Sequence, residues 1–222
     1  MNDSCAVIWD VDGTLVDTAE LHFQAWARLA GEMGRPFSRD DFAATFGRRN
    51  PEIIRYLFRH EFSDQEVLDI GERKENYYRT EAGKGVELLP GVRELLSGLH
   101  ARRVRQAVGS SAPRGNLDLI LRITNSRQYF EAIVSAEDTQ RGKPDPQVFL
   151  VAAEKLGVPP PRCIVFEDAV AGVQAAKAGG MKCVAVTFVG HHSEEKLKAA
   201  GADRVVKCFT EVTPDEVLAL LY

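Results

Sequence analysis

A short apolar run, Ala6-Val7-Ile8-Trp9, breaks off into Asp10-Val11-Asp12-Gly13-Thr14 near the start of the chain. Four apolar residues followed by turn chemistry predict a buried strand. Helical spacing replaces it over residues 18–33, where Leu21, Ala25-Trp26 and Leu29-Ala30 form an apolar stripe that Gly31 and Gly34 bring to an end. From Phe37 to about Gly83 the helical rhythm persists through Phe42, Phe46, Ile53, Ile54, Leu57 and Phe58, with no strand signal. Asn50, just before Pro51, is expected in a loop between two of these helices. Gly83-Lys84-Gly85 closes the stretch as a flexible joint. Residues 18–83 are thus expected to form an all-helical insert of roughly four helices.

Beyond residue 90 the pattern alternates. Helices are expected over 90–99, 113–123, 146–156, 170–178 and 194–200 and from 214 onward, with strands at 104–108, 132–134, 163–166, 183–186 and 204–206. Strands rich in apolar and β-branched residues, alternating with helices, predict a parallel sheet covered on both faces. The expected architecture is α/β: a Rossmann-like core from residues 1–17 and 84–222, interrupted by the helical insert.

Bulk properties narrow the function classes. A chain of 222 residues holds one large or two small domains. Its net charge of −4 supplies no broad basic surface for nucleic acid. No apolar stretch approaches the roughly 20 residues that cross a bilayer, so no membrane partner is expected. Met1-Asn2-Asp3-Ser4 lacks the positive region of a signal peptide. Cys5, Cys163, Cys183 and Cys208 show no paired metal-ligand spacing and read as reduced structural thiols, which suits a cytoplasmic protein. The size and the insert suit a monomer.

The polar residues fall in a telling place. Side chains two apart on a strand share a side, so Asp10 and Asp12 crowd one spot at a strand's carboxyl edge. Two anions that close resist joint ionisation unless a cation joins them. Gly13 permits the sharp turn that follows. Ser110 and Glu167-Asp168 also lie just past predicted strands, where open α/β sheets bind their ligands. Alone, each segment has a plainer explanation: an Asp-Gly turn, a serine helix cap, or a solvated lysine in Gly142-Lys143-Pro144-Asp145-Pro146. Their convergence on one edge favours a Mg²⁺ site in which one aspartate is also a nucleophile.

Four segments, Asp10 to Thr14, the strand ending at Ser110, Lys143 in its Gly-Lys-Pro-Asp-Pro turn, and Glu167-Asp168-Ala169-Val170-Ala171-Gly172, together resemble the haloacid dehalogenase superfamily of phosphoryl-transfer enzymes. The stretch Asp17-Thr18-Ala19-Glu20-Leu21-His22-Phe23-Gln24-Ala25-Trp26 is similar to the β-phosphoglucomutase-like branch. The resemblance implies a core strand order of 5-4-1-2-3 with the insert as a cap. It implies that Asp10 forms an aspartyl-phosphate and that Asp12 serves first as general acid, then as general base. Mg²⁺ would be held by Asp10, Asp168 and the Asp12 carbonyl, with Glu167 acting through a bound water. Ser110 would bind a phosphoryl oxygen and Lys143 would offset its charge.

Substrate contacts are expected from His22, as a proton relay, and from Ser111 and Arg114. Arg49, in preference to Arg48, would face the substrate's distal end, because guanidinium suits phosphate and carboxylate. Lys74 is a further candidate, although Arg73-Lys74-Glu75 also reads as a solvated face. His191-His192 read as exposed, and Trp9 and Trp26 as packing residues.

The chain departs from the branch at two places. Thr14 stands where the mutases carry valine, and Ser110-Ser111-Ala112-Pro113-Arg114 replaces their Ser-x-Ser-Lys-Asn. A phosphatase acting on a small phosphoester is therefore expected ahead of a mutase. A module that merely binds a phosphorylated ligand would need no second carboxylate beside the metal.

Overall fold

The computed structural model describes residues 5–58 and 61–222; Met1 to Ser4, including the leader reading, lie outside the described residues. Strand β1 (Ala6–Trp9) is followed by four helices, α1 (Ala19–Glu32), α2 (Arg39–Thr45), α3 (Asn50–Phe58) and α4 (Asp64–Ala82). The alternating part runs α5 (Val92–Ala101), β2 (Arg105–Gly109), α6 (Arg114–Ile123), β3 (Ala132–Val134), α7 (Gln147–Leu156), β4 (Cys163–Glu167), α8 (Val170–Ala178) and β5 (Lys182–Val186). Helix α9 (Glu194–Ala199), β6 (Arg204–Val206) and α10 (Pro214–Leu218) complete it.

Among the described residues the strands form one sheet in the order β3-β2-β1-β4-β5-β6, every neighbour parallel. The expected order 5-4-1-2-3 lies within this sheet but omits its edge. The residues of β6 pair with Val184 to Val186, so a sixth strand covers the side of β5 that would otherwise be bare.

Pleating divides the core cleanly. Val7 and Trp9 of β1, Val108 of β2, Phe166 of β4 and Val184 of β5 point to the face covered by α5, α6 and α10. Ala6, Ile8, Ala107, Val165 and Cys183 point the other way, under α7 and α8. Both sides of β1 are buried, which is why its sequence is continuously apolar rather than alternating. Trp9 packs 4.2 Å from Phe166 and settles its indole N–H on Gln106 Oε1 at 3.1 Å. Cys163 and Cys183 are buried free thiols in strands, while Cys5 and Cys208 are half-buried free thiols.

The four helices after β1 carry their own apolar cluster, in which Trp26, Leu29, Phe42, Ile54, Leu57 and Val67 meet. Ser38 and Ser63 start α2 and α4 with reciprocal capping boxes to Asp41 and Glu66. Asn50 is not in a loop: it is the first residue of α3, where Pro51 is tolerated because a helix's opening N–H groups have no internal partner. The two chain segments that join the helices to the sheet pair with each other, Leu89 N–H donating to Leu15 C=O at 2.8 Å. Among the described residues, no helix is long and apolar enough to cross a membrane.

Candidate active site

The carboxyl ends of β1, β2 and β4 deliver their polar residues to one place. Asp10 extends the β1 ladder, its N–H bonded to Phe166 C=O, and its side chain is buried. The Lys143 ammonium reaches in from its turn and donates to Asp10 Oδ1 at 2.7 Å and Glu167 Oε1 at 2.6 Å. Glu167 Oε2 accepts the backbone N–H groups of Asp168 and Ala169, both at 2.8 Å. Oxygens of Asp10, Glu167 and Asp168 all lie within 4.8 Å of one another.

Two glycines make that crowding possible. A Cβ on Gly13 would stand 2.1 Å from Asp168 Oδ2, and the φ of +88° disfavours any other residue there. A Cβ on Gly172 would stand 1.7 Å from Glu167 Oε1. Both motifs therefore carry glycine so that a carboxylate can occupy the space of a side chain.

Three buried carboxylates share one lysine, and the electrostatics show the deficit. Burial, with Glu167 and Asp12 adding to it, pushes the Asp10 carboxyl up to about 7 against the pull of Lys143. Asp168 is raised well above its ordinary value by burial, then by Glu167 and Asp10. Burial works against the Lys143 charge, but Asp10 and Glu167 outweigh it and hold the ammonium. Asp168 Oδ2 is buried with no hydrogen-bond partner among the described residues. An unspent hard oxygen beside two further carboxylates is the donor set of a Mg²⁺-type cation. The residues present fit one.

Asp12 turns away from that cluster. Its Oδ1 accepts from Thr18 Oγ1 at 2.5 Å and lies 3.2 Å from His22 Nε2 and 3.4 Å from Tyr78 Oη. Burial would raise its carboxyl, yet His22, Thr18 and Lys74 outweigh burial and lower it to about 2. Asp12 thus rests as a carboxylate. Ser110 is buried at the end of β2, where its hydroxyl accepts the Ala112 N–H at 3.1 Å and keeps its own proton to donate.

A cavity opens over this floor. Asp10, Asp12, Ser110, Lys143, Glu167 and Asp168 line its sheet side; Trp26, Phe42, Phe46, Arg48, Asn50 and Ile53 line its helical side. His22, Lys74 and Ser111 also reach it. Lys74 does not lie on a solvated face: it is buried, 2.7 Å from His22 Nδ1 and 3.0 Å from Glu75 Oε1.

Arg49 and Arg114 are placed elsewhere than expected. Arg49 donates to the Thr139 carbonyl at 3.0 Å and to the Thr139 hydroxyl, so its guanidinium clasps the core outside the cavity. Arg48 takes the cavity position instead. Arg114 is exposed on the first turn of α6, 2.9 Å from Asp118, and its backbone N–H is held by Glu137. Nor is His191 a bare surface residue. It is half-buried, with its ring 4.3 Å from Phe46 and 5.8 Å from Phe42, wedging the loop after β5 against the helices.

Thr18, Tyr78, Glu75 and Asn116 were not among the expected site residues. A signal for some of them exists: Thr18, His22 and Trp26 recur every fourth residue, as do Lys74 and Tyr78, so each set lies along one helical face. Nothing local marks Glu75 or Asn116.

Comparison with known proteins finds relatives over nearly the whole chain. The family described as haloacid dehalogenase-like hydrolase matches residues 7–186. A phosphorylated carbohydrates phosphatase of Thermotoga maritima is 34% identical over 223 residues, covering 97% of each chain. A beta-phosphoglucomutase of Bacillus subtilis is 34% identical over 215 residues, covering 94% of this chain and 91% of its own. The crystal structure of an HAD hydrolase, family IA, variant 3, from Entamoeba histolytica matches with a TM-score of 0.88 at 30% identity, covering 97% of this chain and 98% of that one. The chain belongs to the haloacid dehalogenase-like hydrolase family. Within that family it falls on the β-phosphoglucomutase-like branch, and it is an enzyme of the phosphatase class.

Proposed function

We propose that the enzyme is a Mg²⁺-dependent phosphohydrolase for a small phosphorylated metabolite, a sugar monophosphate, working through a phosphorylated Asp10. The observation that carries this reading is the buried juxtaposition of Asp10, Lys143, Glu167 and Asp168 at the floor of a cavity roofed by helices. Asp10, Asp168 and the Asp12 carbonyl would hold Mg²⁺, with Glu167 reaching it through water. The ion would offset the repulsion between a carboxylate and a phosphate dianion.

The chain's own groups account for the bond changes. An Asp10 oxygen attacks phosphorus, the ester P–O bond breaks, and the departing alkoxide takes a proton from Asp12. A water then attacks the phosphorylated Asp10 and gives its proton to Asp12. The bond between phosphorus and Asp10 breaks, and free phosphate and the Asp10 carboxylate are restored. At rest Asp12 is already in the ionised form that the second, basic half needs. A phosphate dianion arriving beside it disfavours its charged form and promotes the protonation that the first half needs. Ser110 and Lys143 would bear the phosphoryl charge.

The reading favours hydrolysis over transfer between sugar hydroxyls because Arg49 and Arg114, two of the cations expected at the substrate, are turned to Thr139 and Asp118, and Lys74 is engaged by Glu75 and His22. Arg48 lines the helical side of the cavity. A panel of sugar phosphates with Mg²⁺ separates the two activities. Phosphate release without conversion of glucose 1-phosphate to glucose 6-phosphate, even with a bisphosphate primer, is the expected result. Conversion without release would select the mutase.

The role of Asp12 has its own test. Asp12→Asn is expected to lower kcat on an alkyl phosphate by about 10²–10⁴-fold. On p-nitrophenyl phosphate, whose leaving group departs without a proton, the first step should be nearly unaffected. Equal losses in single-turnover measurements on both esters would remove Asp12 as the acid.

A further inference from the structure

The segment that follows β5 takes no part in the chemistry above, yet it reaches from the sheet to the helical layer. Thr187 prolongs the edge of β5, its N–H bonded to the Val206 carbonyl at 2.9 Å. The chain then turns sharply, Gly190 N–H returning to Thr187 C=O at 3.0 Å with a glycine φ of +78°. From this turn Val189 packs on the apolar cluster of the helices. His191 adds a ring contact to each of two phenylalanines, 4.3 Å from Phe46 and 5.8 Å from Phe42.

Those two phenyl rings line the cavity, whereas His191 does not. The imidazole therefore supports the wall from its outer side. Phe46 depends on such support because it lies just past the last residue of α2, its ψ of 135° already outside the helix. Its N–H still bonds to Phe42 C=O at 2.8 Å, but Gly47 beyond it turns the chain at a φ of +81°. The Phe46 ring is left to be placed by its neighbours, Phe42 at 5.2 Å and His191.

The supporting ring has one unusual property. His191 Nε2 is buried and has no hydrogen-bond partner among the described residues. A charged imidazole carries a proton on both nitrogens, and the one on Nε2 would find no acceptor there. Burial holds the ring below its ordinary value, against the pull of Asp17 from the segment before α1. The adjacent His192 is lowered by burial, by His191 and by Lys196, with Glu167 opposing. From the side of α2, His191 meets phenyl rings. A phenylalanine would back the wall as well; what the imidazole adds is a charge that comes and goes between about pH 5 and 8.

We propose that His191 is a positioning residue for substrate preference, which through Phe46 fixes the wall that meets the part of the substrate beyond its phosphate. This rests on the reading of the cavity as a phosphoester site. While the ring is neutral, the wall is packed and offers a firm surface to the apolar face of a sugar. Once the ring is charged, Nε2 must turn to water or an anion, and Phe46 loses its support. A base whose value is lowered by packing favours the packed state above its ordinary value, and loses that advantage as the pH falls through it. Discrimination is thus sharpest at neutral pH and above, and relaxes in acid.

The test compares kcat/KM for two esters across pH: the sugar phosphate hydrolysed fastest in the panel above, and ethyl phosphate, which has no sugar ring. Both share the phosphate and the catalytic carboxylates, so the ratio between them cancels titrations common to the two. In the wild type the preference for the sugar ester should fall about tenfold from about pH 8 to about pH 5, for a ring whose value differs by one unit between packed and released wall. The fall should lie in KM for the sugar ester. His191→Phe should keep the preference seen at pH 8 and hold it unchanged into acid. His191→Ala should lower it by about 3- to 10-fold at every pH, the worth of an aromatic contact. Added to Phe46→Ala, His191→Ala should cost nothing further, because the two act in series.

A wild-type preference that is flat with pH, or that falls equally in His191→Phe, overturns the proposal. So do equal losses on both esters in His191→Ala, which would mean that the ring merely supports the fold, and additive losses in the double variant. Should His191→Ala prove unstable, the wild type and His191→Phe decide between them. Hydrolysis of neither ester would bring down the phosphohydrolase reading and the proposal with it. Hydrolysis with an unvarying preference would bring down the proposal and leave that reading standing.

Discussion

Asp10→Asn is expected to lower turnover by at least about 10⁴-fold while leaving the fold intact, since deleting a covalent nucleophile removes the reaction path itself. The second half of that expectation follows from the charge balance. Burial first, then Glu167 and Asp12, pushes the Asp10 carboxyl from its ordinary 3.8 up to about 7. A folded-state value above the unfolded one means that stability present below about pH 4 is lost as the pH rises through about 7. The amide never ionises, and its oxygen still accepts from Lys143. In a chelator at neutral pH the variant should therefore melt no lower than the wild type, and its advantage should shrink in acid. Turnover near the wild-type rate would dismiss Asp10 as nucleophile, and a fall in melting temperature would dismiss the charge account.

Lys143→Met carries the second large effect, and here stability and activity should fall together. Lys143 is the ammonium between Asp10 and Glu167, and its removal leaves two buried carboxylates facing each other beside Asp168. Breaking a buried pair from one side costs about 3–5 kcal/mol. Urea unfolding in chelator should show a loss of that order, and added Mg²⁺ should recover part of it by supplying positive charge to the same oxygens. Losing a fixed cation beside the transferring phosphoryl group should lower kcat by about 10²–10³-fold. Unchanged stability, or a stability loss that Mg²⁺ does not touch, would contradict a single shared cluster of charge.

What could be read before folding was decided by backbone geometry. Asp10, Ser110 and Glu167 each end an apolar strand, and parallel strands that share a sheet carry their ends to one edge. The pleat placed Val7 and Trp9 on one face and Ala6 and Ile8 on the other, as two-residue periodicity requires. The edge strand β6 escaped the expected order because three residues, Arg204–Val206, carry no signal of which neighbour they will pair with.

The helical layer was harder to read for a different reason. Its polar contacts join residues far apart in sequence, such as Glu75 with Asn116, and no local pattern announces them. Arg48 and Arg49 lie in the bend just before α3, where no helical period says which way either side chain points. Sequence could not say which would face the cavity. Lys74 and Glu75 look like an exposed charged pair, and only the packing of α4 against α1, α3 and α6 reveals why they are buried.

The central claim is that phosphorus passes through a bond to Asp10, and acid-quenched turnover tests it most directly. Protein mixed with a phosphoester and Mg²⁺, denatured within one turnover and digested, should yield the peptide containing Asp10 with the added mass of a single phosphoryl group. Asp10→Asn should yield none. A phosphoryl group on another residue, or rapid hydrolysis with no modified peptide at any quench time, would contradict the account.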